Sequence, residues 1–428
     1  MMLKGRYCLL FVTLIICTVL CIGCANNPVD STQDRSSTDT DSPADSTQDS
    51  SSTDTDSPAD STQDSSNTDT DSPADSTQDS SNTDSDSPAD STRDSSNINP
   101  GVMFIMQSDF QSGIVRSMSL ENETITPFEL HVYSDAVLRS FNGKLYVLER
   151  MGADNILKLD PQTTGSASVV YQINLGRDWN PQDMVFLSEE KAYISNNNEP
   201  KITVFNPSIG EITKNIDISR YTFLPDSNTS PNAGDMELVG SNLYVLLQRR
   251  NGFNPGAPTL LLKIDTYTDE IVDTIPLQFK NGYSMAYSDG ALYISNPGSA
   301  FSTGDGAVER VDLTTKEVTA IIDENALGGS PNFIVHKEGS RFYITNYVGW
   351  QNVQVLEIDM ETGAIVSVLP DVIDAYGGVY YDKTTDLLYV GERDPQEMGI
   401  RIFRDNQQVG STVKNNRCLP PSSFVVVR

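Results

Sequence analysis

The sequence predicts an all-β fold: a seven-bladed β-propeller closed by its C-terminal strand and preceded by a disordered tether. A strand signature centred on tyrosine recurs through residues 99–428, and successive copies lie 42 to 51 residues apart. A repeat of about 40–50 residues that holds four short strands is the sequence mark of a propeller blade. No amphipathic stretch is long enough to favour a helical solenoid instead.

The clearest repeat spans residues 332–369 and shows why four strands are predicted. Its four segments are short and rich in β-branched and aromatic residues, and turn formers such as Gly339 and Gly363 separate them. Thr362-Gly363 places glycine where a type I turn passes to a residue with positive φ, a conformation that glycine adopts at low cost. Tight turns between neighbouring strands predict one antiparallel sheet.

The other copies share the strand pattern of a hydrophobic residue, an aromatic residue and then Val or Ile. The aromatic residue is Phe104 in a degraded first copy and then Tyr146, Tyr193, Tyr244, Tyr293, Tyr343 and Tyr389. Third strands follow, and several end in Asp or Asn, as at Asn206 and Asp265. Such a side chain can cap the following turn, which explains its recurrence structurally.

Several of these strands read Tyr-Ile-Ser/Thr-Asn, as at 343–346, and an Asp-terminated strand and a Thr-Gly turn follow. This combination resembles the YVTN-type β-propeller repeat of bacterial and archaeal surface proteins. The resemblance covers roughly residues 100–428. It implies a fold rather than an activity, because the motif residues are structural in that family. Two departures stand out: Asp269 occupies a turn position where glycine is usual, and the last repeat lacks the Thr-Gly turn.

The two ends of the repeat region are complementary. The first copy begins at Val102 with a second-strand signature, so its innermost strand is missing. The chain ends with an inner-strand sequence at 421–427. We therefore expect the C-terminal strand to pair beside residues 102–107 and to complete the seventh blade, which removes two open sheet edges.

Residues 1–23 are predicted to be a lipoprotein signal peptide. Lys4 and Arg6 precede an apolar run at 7–22, which is short for a membrane span and suits a signal-peptide core. Gly23-Cys24 resembles a lipoprotein cleavage box, which predicts that Cys24 becomes the acylated, palmitate-bearing N-terminus. Cys21 stands where leucine is usual, so an ordinary signal peptide or an uncleaved anchor stays open. The predicted location is the bacterial cell envelope, with a lipid anchor at the outer membrane or cell surface.

Residues 24–98 are predicted to form a disordered tether. Four copies of a 15-residue Asp/Ser/Thr-rich unit fill 31–90 without an aromatic or large aliphatic side chain, so nothing offsets the entropy of ordering. Residues 25–97 carry a net charge of −16, and residues from 98 onward carry another −16. Such charge excludes nucleic acid and anionic lipid as partners. Besides a solvated stalk, weak calcium binding and O-glycosylation stay open as roles.

Removal of the predicted signal leaves two of the five cysteines, Cys24 and Cys418. With Cys24 acylated, Cys418 has no partner, so no internal disulfide is expected. A core of this size does not need one. Cys418 is expected to be a small buried residue, with a reactive thiol as the alternative.

The first residues of the predicted inner strands are polar and would surround the mouth of the central channel. They are Asp135, Asp183, Asp235, Ser284, Asn332 and Ser423. The three aspartates could hold a calcium ion, which prefers oxygen ligands, or they could be solvated residues of a water-filled channel. No other cofactor is expected.

The same face of the predicted propeller collects the residues expected to bind a partner, which would be a protein or a glycan. They are Arg177, Trp179, Arg249, Arg250, Tyr347, Trp350 and Arg393, beside Glu149, Arg150 and Glu392. The loops at 219–234, 248–258 and 297–306 are the longest, and long loops on a compact repeat are often functional. Trp and Arg are favoured contact residues, although a loop Trp can instead cover the end of a blade. The propeller itself is expected to be monomeric.

Side chains for catalysis are scarce. The two histidines, His131 and His336, fall in different repeats and cannot build a multi-His copper or zinc centre. Nucleophile-elbow, phosphate-loop and dinucleotide-binding motifs are absent. Lactonases and streptogramin-lyase-like enzymes have similar folds, so a calcium- or magnesium-dependent lactonase or lyase acting at the channel mouth is the competing hypothesis. A lipid-anchored binding, recognition or scaffold protein is the favoured one.

Overall fold

The structure is a computed structural model that describes residues 101–223, 229–252, 254–299, 304–376, 378–414 and 419–428. The described residues form eight antiparallel sheets. The predicted signal peptide, the acylated Cys24, the tether and Cys418 lie outside the described residues. Seven of these sheets are blades, with four strands in six blades and a fifth short strand in the other, and the eighth is a two-stranded hairpin in a loop of blade 3. The all-β, seven-bladed propeller that the sequence predicts is therefore confirmed.

The first three strands belong to blade 7: β1 (Val102–Ser108), β2 (Gly113–Ser119) and β3 (Thr124–Val132). Blade 1 comprises β4 (Ala136–Phe141), β5 (Lys144–Glu149), β6 (Asn155–Leu159) and β7 (Val169–Asn174). Blade 2 comprises β8 (Pro181–Ser188), β9 (Lys191–Asn196), β10 (Lys201–Asn206) and β11 (Glu211–Asp217). Blade 3 begins with β12 (Ala233–Val239) and β13 (Asn242–Leu247), continues through a short hairpin of β14 (Arg250–Asn251) and β15 (Asn254–Pro255), and ends with β16 (Pro258–Asp265) and β17 (Glu270–Lys280).

Blade 4 comprises β18 (Ser284–Ser288), β19 (Ala291–Asn296), β20 (Ala307–Asp312) and β21 (Val318–Asp323), and a one-turn helix α1 (Glu324–Leu327) follows. Blade 5 comprises β22 (Ser330–Glu338), β23 (Arg341–Gly349), β24 (Asn352–Asp359) and β25 (Ala364–Val368). Blade 6 comprises β26 (Val379–Asp382), β27 (Leu387–Glu392), β28 (Gly399–Arg404), β29 (Gln407–Gln408) and β30 (Val413–Lys414). The last strand is β31 (Pro421–Val427). No helix in the described ranges is long and apolar enough to cross a membrane.

The innermost strand of each blade lines the central axis; it is the first strand along the chain in blades 1 to 6 and the C-terminal strand β31 in blade 7, and we count it as the first strand of its blade. These strands contact one another in the cyclic order β4, β8, β12, β18, β22, β26 and β31, and β31 returns to β4. The other strands of each blade follow outward. Because neighbouring strands are antiparallel, the loops that lead into the first strands and the loops between second and third strands share one side of the ring. We call that side the loop face.

The C-terminal strand completes blade 7. β31 pairs antiparallel with β1, with Val102 opposite Val427, and it is the innermost strand of that sheet. Phe424 and Val426 of β31 are buried in the core that blades 6 and 7 share. Closure of the ring by the C-terminal strand is therefore confirmed, and the start of β1 has no open edge.

The repeated tyrosine joins neighbouring blades. Its ring is buried, and in two repeats its hydroxyl reaches the turn between the third and fourth strands of the next blade. Tyr193 donates to Asp269 Oδ1 at 2.6 Å, and Tyr343 donates to Asn406 Oδ1 at 3.1 Å. Burial, followed by the hydrogen bond to Asp269, raises the pKa of Tyr193. The recurrence of tyrosine thus has a structural cause, since it supplies an apolar ring and a polar end together.

Asp269 shows how the fold accommodates a departure from the usual repeat. Its φ of 58° lies in the left-handed region that favours glycine. Its carboxylate accepts hydrogen bonds from Tyr193 and pairs with Lys191 Nζ at 2.7 Å, both in blade 2. Glycine could make neither contact, so aspartate offsets a backbone cost with two bonds between blades.

Candidate functional site

Polar side chains at the channel mouth bond to the neighbouring blade. Four of these side chains each use an oxygen atom to accept a hydrogen bond from a backbone N–H of the inner strand in the next blade. The pairs are Asp183 with Met236 (2.9 Å), Asp235 with Met285 (2.7 Å), Ser284 with Ile334 (3.5 Å) and Ser423 with Leu138 (3.2 Å). A buried N–H needs an acceptor, which explains why this position is polar in repeat after repeat. These hydrogen bonds therefore connect the inner strands of neighbouring blades.

The structure does not gather the three aspartates predicted to bind calcium into one ligand set. Asp135 accepts from Arg150 Nε at 2.9 Å, and Asp183 accepts from Arg139 Nε at 2.8 Å. Asp235 bonds to the backbone of the next blade. Among the described residues, no group of three or more His, Cys, Asp and Glu side chains is arranged to hold a metal ion. Each carboxylate faces a different partner, because Arg150 comes from the same blade as Asp135, whereas Arg139 and the Met285 N–H come from blades adjacent to Asp183 and Asp235.

An acidic cluster with one guanidinium lines the channel. Asp235 and Glu237 belong to β12, and Asp183 and Arg139 come from β8 and β4. Burial, reinforced by Asp183, raises the pKa of Glu237 to about 7 and raises that of Asp235 well above its ordinary value. Burial alone would lower the pKa of Arg139, but Asp183 and Asp235 raise it. The channel therefore favours a protonated carboxyl group near neutral pH.

Glu149 and Glu392, which the sequence places on the loop face, are buried anchors instead. Glu149 Oε1 accepts from the backbone N–H of Tyr133 at 2.7 Å. Glu392 accepts from the backbone N–H groups of Ile373 and Asp374 at 2.9 and 2.8 Å. The position three residues after the repeated aromatic residue is buried and polar in Gln107, Glu149, Asn196, Asn296, Asn346 and Glu392. The recurrence of a polar residue at this position is a sequence signal that predicts a buried hydrogen-bonding role for Glu149 and Glu392.

The arginine after each of these glutamates pairs with an aspartate of the loop that leads into the blade. Arg150 pairs with Asp135, and its backbone N–H donates to the Asp135 carbonyl at 2.8 Å. Arg393 pairs with Asp374 through Nη2 at 2.8 Å and Nε at 3.2 Å. Its guanidinium also lies 4.5 Å from the centroid of the Tyr376 ring. Paired and stacked contacts of this kind fix the guanidinium plane.

The two tryptophans of the predicted binding face occupy different environments. Trp350, between β23 and β24, is 59% exposed. Trp179 packs against the core that blades 1 and 2 share, and Lys201 Nζ lies 3.4 Å from its ring centroid. Trp179 therefore covers the end of a blade, whereas Trp350 presents its ring to solvent.

The other residues of the predicted binding face also differ in their exposure and in their contacts. Arg177 is exposed, and Tyr347 is half-buried on β23. The guanidinium of Arg250 donates to Asn197 in the neighbouring blade, and Arg249 Nη1 donates to a backbone carbonyl at 3.4 Å. Both arginines of blade 3 therefore make hydrogen bonds within the propeller.

Large apolar side chains are exposed on the loop face of blades 5, 6, 7 and 1. They are Phe110, Tyr133, Met151, Val348, Trp350, Ile373 and Tyr376. Hydrogen bonds hold their loops in place: Tyr133 Oη donates to the Met151 carbonyl at 3.1 Å, and Val353 N–H donates to the Ile373 carbonyl at 3.0 Å. Sequence reasoning found only Trp350, because the others become neighbours only when the loops are placed around the ring.

Tyr283 lies in the loop that leads into β18, the inner strand of blade 4. Its ring packs edge-on to Phe333, with 5.0 Å between centroids. Burial and then Tyr376 raise the pKa of Tyr283, whereas Arg150 lowers it. Groups from blades 6 and 1 therefore act on one phenol at the channel mouth.

The two histidines lie in different blades. His131 is exposed on the outer strand of blade 7, and His336 Nε2 lies 3.0 Å from the Gly339 carbonyl in blade 5. Burial, with Lys383 adding to it, lowers the pKa of His336. The structure thus places the two imidazoles in separate surroundings.

No protein-family model matches the sequence, and no curated protein matches it. Among solved structures, the chain is similar to a functionally unknown protein from Desulfotomaculum acetoxidans DSM 771, with a TM-score of 0.53, 12% identity and coverage of 76% of this chain and 98% of that chain. It is also similar to Kuenenia stuttgartiensis hydrazine synthase, with a TM-score of 0.53, 14% identity and coverage of 74% and 99%. At such identities the likeness shows the fold alone: the chain is a β-propeller.

Proposed function

We propose that this chain is a lipid-anchored protein of the bacterial cell envelope, whose propeller binds a protein partner through the loop face of blades 5, 6, 7 and 1. The observation that carries the proposal is the concentration of exposed apolar side chains on that face, from Trp350 and Tyr376 to Phe110 and Met151. Exposed groups of large apolar side chains mark contact surfaces on soluble domains.

The chemistry of this face favours a protein as the partner. Trp, Tyr and Arg are the residues that most often dominate the energy of protein interfaces, and Trp350, Tyr376 and Arg393 are all present. Arg393 is already oriented by Asp374 and Tyr376, so little side-chain entropy is lost when a partner docks against it.

The anchor and the stalk rest on the sequence. Acylation at Cys24 would attach the chain to a membrane, and the 73 residues at 25–97 would span roughly 45–50 Å as a flexible coil. A propeller held at that distance could meet partners beyond the membrane surface. We expect the acidic tether to keep it away from anionic lipid.

Photocrosslinking in living cells tests the proposal. A photoreactive amino acid replaces Trp350 in the full chain, and a matched variant carries it at Tyr267. Tyr267 is 92% exposed but lies in the turn between β16 and β17, on the opposite side of the ring. We expect one discrete protein adduct from position 350 and none of that mass from position 267.

Equal adducts from both positions, or none from position 350, would contradict a binding role for the loop face. An adduct at position 350 that is carbohydrate-positive and resists protease would identify a glycan as the partner.

A further inference from the structure

The outermost strand of blade 5, β25, lacks the charged residues and prolines that several other blade edges carry, and β7 of blade 1 lacks them too but exposes polar Gln172 and Asn174. A sheet edge presents unpaired backbone N–H and C=O groups, and natural proteins shield such edges with charged residues or proline. β3 contains Pro127, β17 contains Pro276 and β11 contains Lys214. The sequence of β25, Ala-Ile-Val-Ser-Val, contains neither a charge nor a proline.

The exposed side chains of β25 are all apolar. Ile365, Val366 and Val368 are 39%, 45% and 50% exposed, Ala364 is exposed as well, and Ser367 is half-buried. Every other outermost strand in the described ranges exposes at least one polar or charged side chain. The edge of blade 5 thus combines an outward-facing backbone with an apolar surface, and the Ser367 hydroxyl donates to the Val368 carbonyl at 3.4 Å.

We propose that β25 receives an extended segment of a partner protein, which adds to blade 5 as a fifth strand. Main-chain hydrogen bonds supply affinity in this mode of recognition, and alternate side chains supply specificity. A β-bulge at Val366 interrupts the alternation of β25, and Ile365 and Val368 lie opposite Ile358 and Leu356 of β24. Ile365 and Val368 therefore share one side of the strand, and the segment would present apolar residues to that side. This surface lies on the outer edge of the ring and is separate from the loop face.

Charges at the two ends of β25 define the segment further. Glu361 lies in the turn before the strand and Asp371 in the loop after it, and both are exposed. A segment paired along the whole strand would end near Gly363 and Leu369, each two residues from one of these carboxylates. Opposite charges are favoured across paired strands, so the partner segment carries Lys or Arg at each end of an apolar centre.

The same charges argue against a second copy of this chain as the occupant. Antiparallel pairing of two β25 strands about Val366 would bring Glu361 of each copy near Asp371 of the other, just beyond the ends of the paired strands. Like charges in that position are destabilising. Each copy also carries a net charge of −16 from residue 98 onward, which adds to the repulsion.

Three fluorescein-labelled heptapeptides test the proposal by anisotropy with the full chain. One has a Val-Thr-Val-Thr-Val centre between Lys and Arg, and the second has the same centre between Glu and Asp. The third is the basic peptide with N-methyl groups on alternate residues, which remove the donors needed for strand pairing. We expect the basic peptide to bind at least about tenfold more tightly than either of the others. The N-methylated peptide keeps both charges, so its loss of binding excludes simple attraction to an acidic protein.

Substitutions on β25 locate the binding. Val366→Lys should weaken binding of the basic peptide by about tenfold or more, because it places a positive charge on the edge that would receive a positively charged segment. Val366→Thr keeps the β-branched shape and should change binding by less than about threefold. Trp350→Ala should leave peptide binding unchanged, which separates this proposal from the one for the loop face. The melting temperature of each variant shows that it is folded.

Equal binding of the three peptides, or unchanged binding in a folded Val366→Lys variant, would overturn the proposal. Self-association of the parent chain that Val366→Lys abolishes in sedimentation would also overturn it, by identifying a second copy as the occupant.

Discussion

The hydroxyl of Ser423 accepts a hydrogen bond from the backbone N–H of Leu138 at 3.2 Å and so ties the last strand of the chain to the first strand of blade 1. The Ser140 hydroxyl donates to the Val426 carbonyl at 3.0 Å along the same contact. β31 therefore closes the ring twice, by pairing with β1 inside blade 7 and by side-chain bonds to the neighbouring blade.

Truncation after Leu419 should abolish cooperative folding. It removes the buried side chains of Phe424 and Val426, each of which contributes roughly 1.5–3 kcal/mol, and it leaves β1 as an open edge beside an apolar core. The measurement is thermal unfolding of the truncated and full chains, followed by circular dichroism. A truncated chain that stays soluble and melts at the full-length temperature would show that the ring closes in another way.

Asp269→Ala should destabilise the propeller more than Asp269→Gly. Both lose the bonds to Tyr193 and Lys191, but only alanine keeps the strain of a φ near 58°. The difference in unfolding free energy should be about 1 kcal/mol in favour of glycine. Urea denaturation of the two variants gives this difference. Equal stabilities would mean that the turn relaxes to another conformation.

The stability of the propeller should depend on pH through the channel carboxyls. The pKa of Glu237 is raised from its ordinary 4.5 to about 7, chiefly by burial, so the folded chain holds this proton more tightly than the unfolded chain. The stability linked to that proton is fully present below about pH 4.5 and is lost as the pH rises through about 7. Asp235 shifts in the same direction.

Glu237→Gln should therefore lose less stability than the parent chain between about pH 5 and about pH 8. Urea denaturation at both pH values measures this, and Glu211→Gln on the exposed strand β11 controls for the removal of one carboxylate. Identical pH profiles for Glu237→Gln and the parent would show that Glu237 does not carry the buried proton.

Much of the fold could be predicted because its signals are local. Period-2 strands, tight turns and the repeat length define four strands per blade, and the inner-strand sequence at 421–427 matches the strand missing before Val102. Each of these signals lies within a few residues of the element it defines, apart from the closing pair of ends.

The side-chain partners could not be predicted in the same way, because they come from other blades. Asp183 meets Arg139 and Met236, which lie 44 and 53 residues away, and Tyr193 meets Asp269 across 76 residues. A single sequence does not give the rotation between blades that brings such pairs together. The sequence therefore predicts roles for the channel aspartates and the buried glutamates from their residue types, without their partners.

Labelling with palmitate tests the predicted anchor. We expect the parent chain to incorporate the label and Cys24→Ala to lose it, since Cys24 follows the cleavage box. Cys21→Ala is the matched control, because it retains Cys24 and should retain the label. Labelling of Cys24→Ala, or a mature protein that begins at Met1, would contradict acylation at Cys24.

The role of the loop face is tested most directly by separate alanine substitutions at the two tryptophans, with affinity for the cross-linked partner and melting temperature measured in both. Trp350→Ala should weaken binding by about 1–3 kcal/mol and leave the melting temperature unchanged, because this ring is exposed. Trp179→Ala should lower the unfolding free energy by roughly 2–3 kcal/mol and leave binding unchanged, because its ring packs between blades. A Trp350→Ala variant that binds its partner as tightly as the parent chain would contradict the proposal that this face is the binding surface.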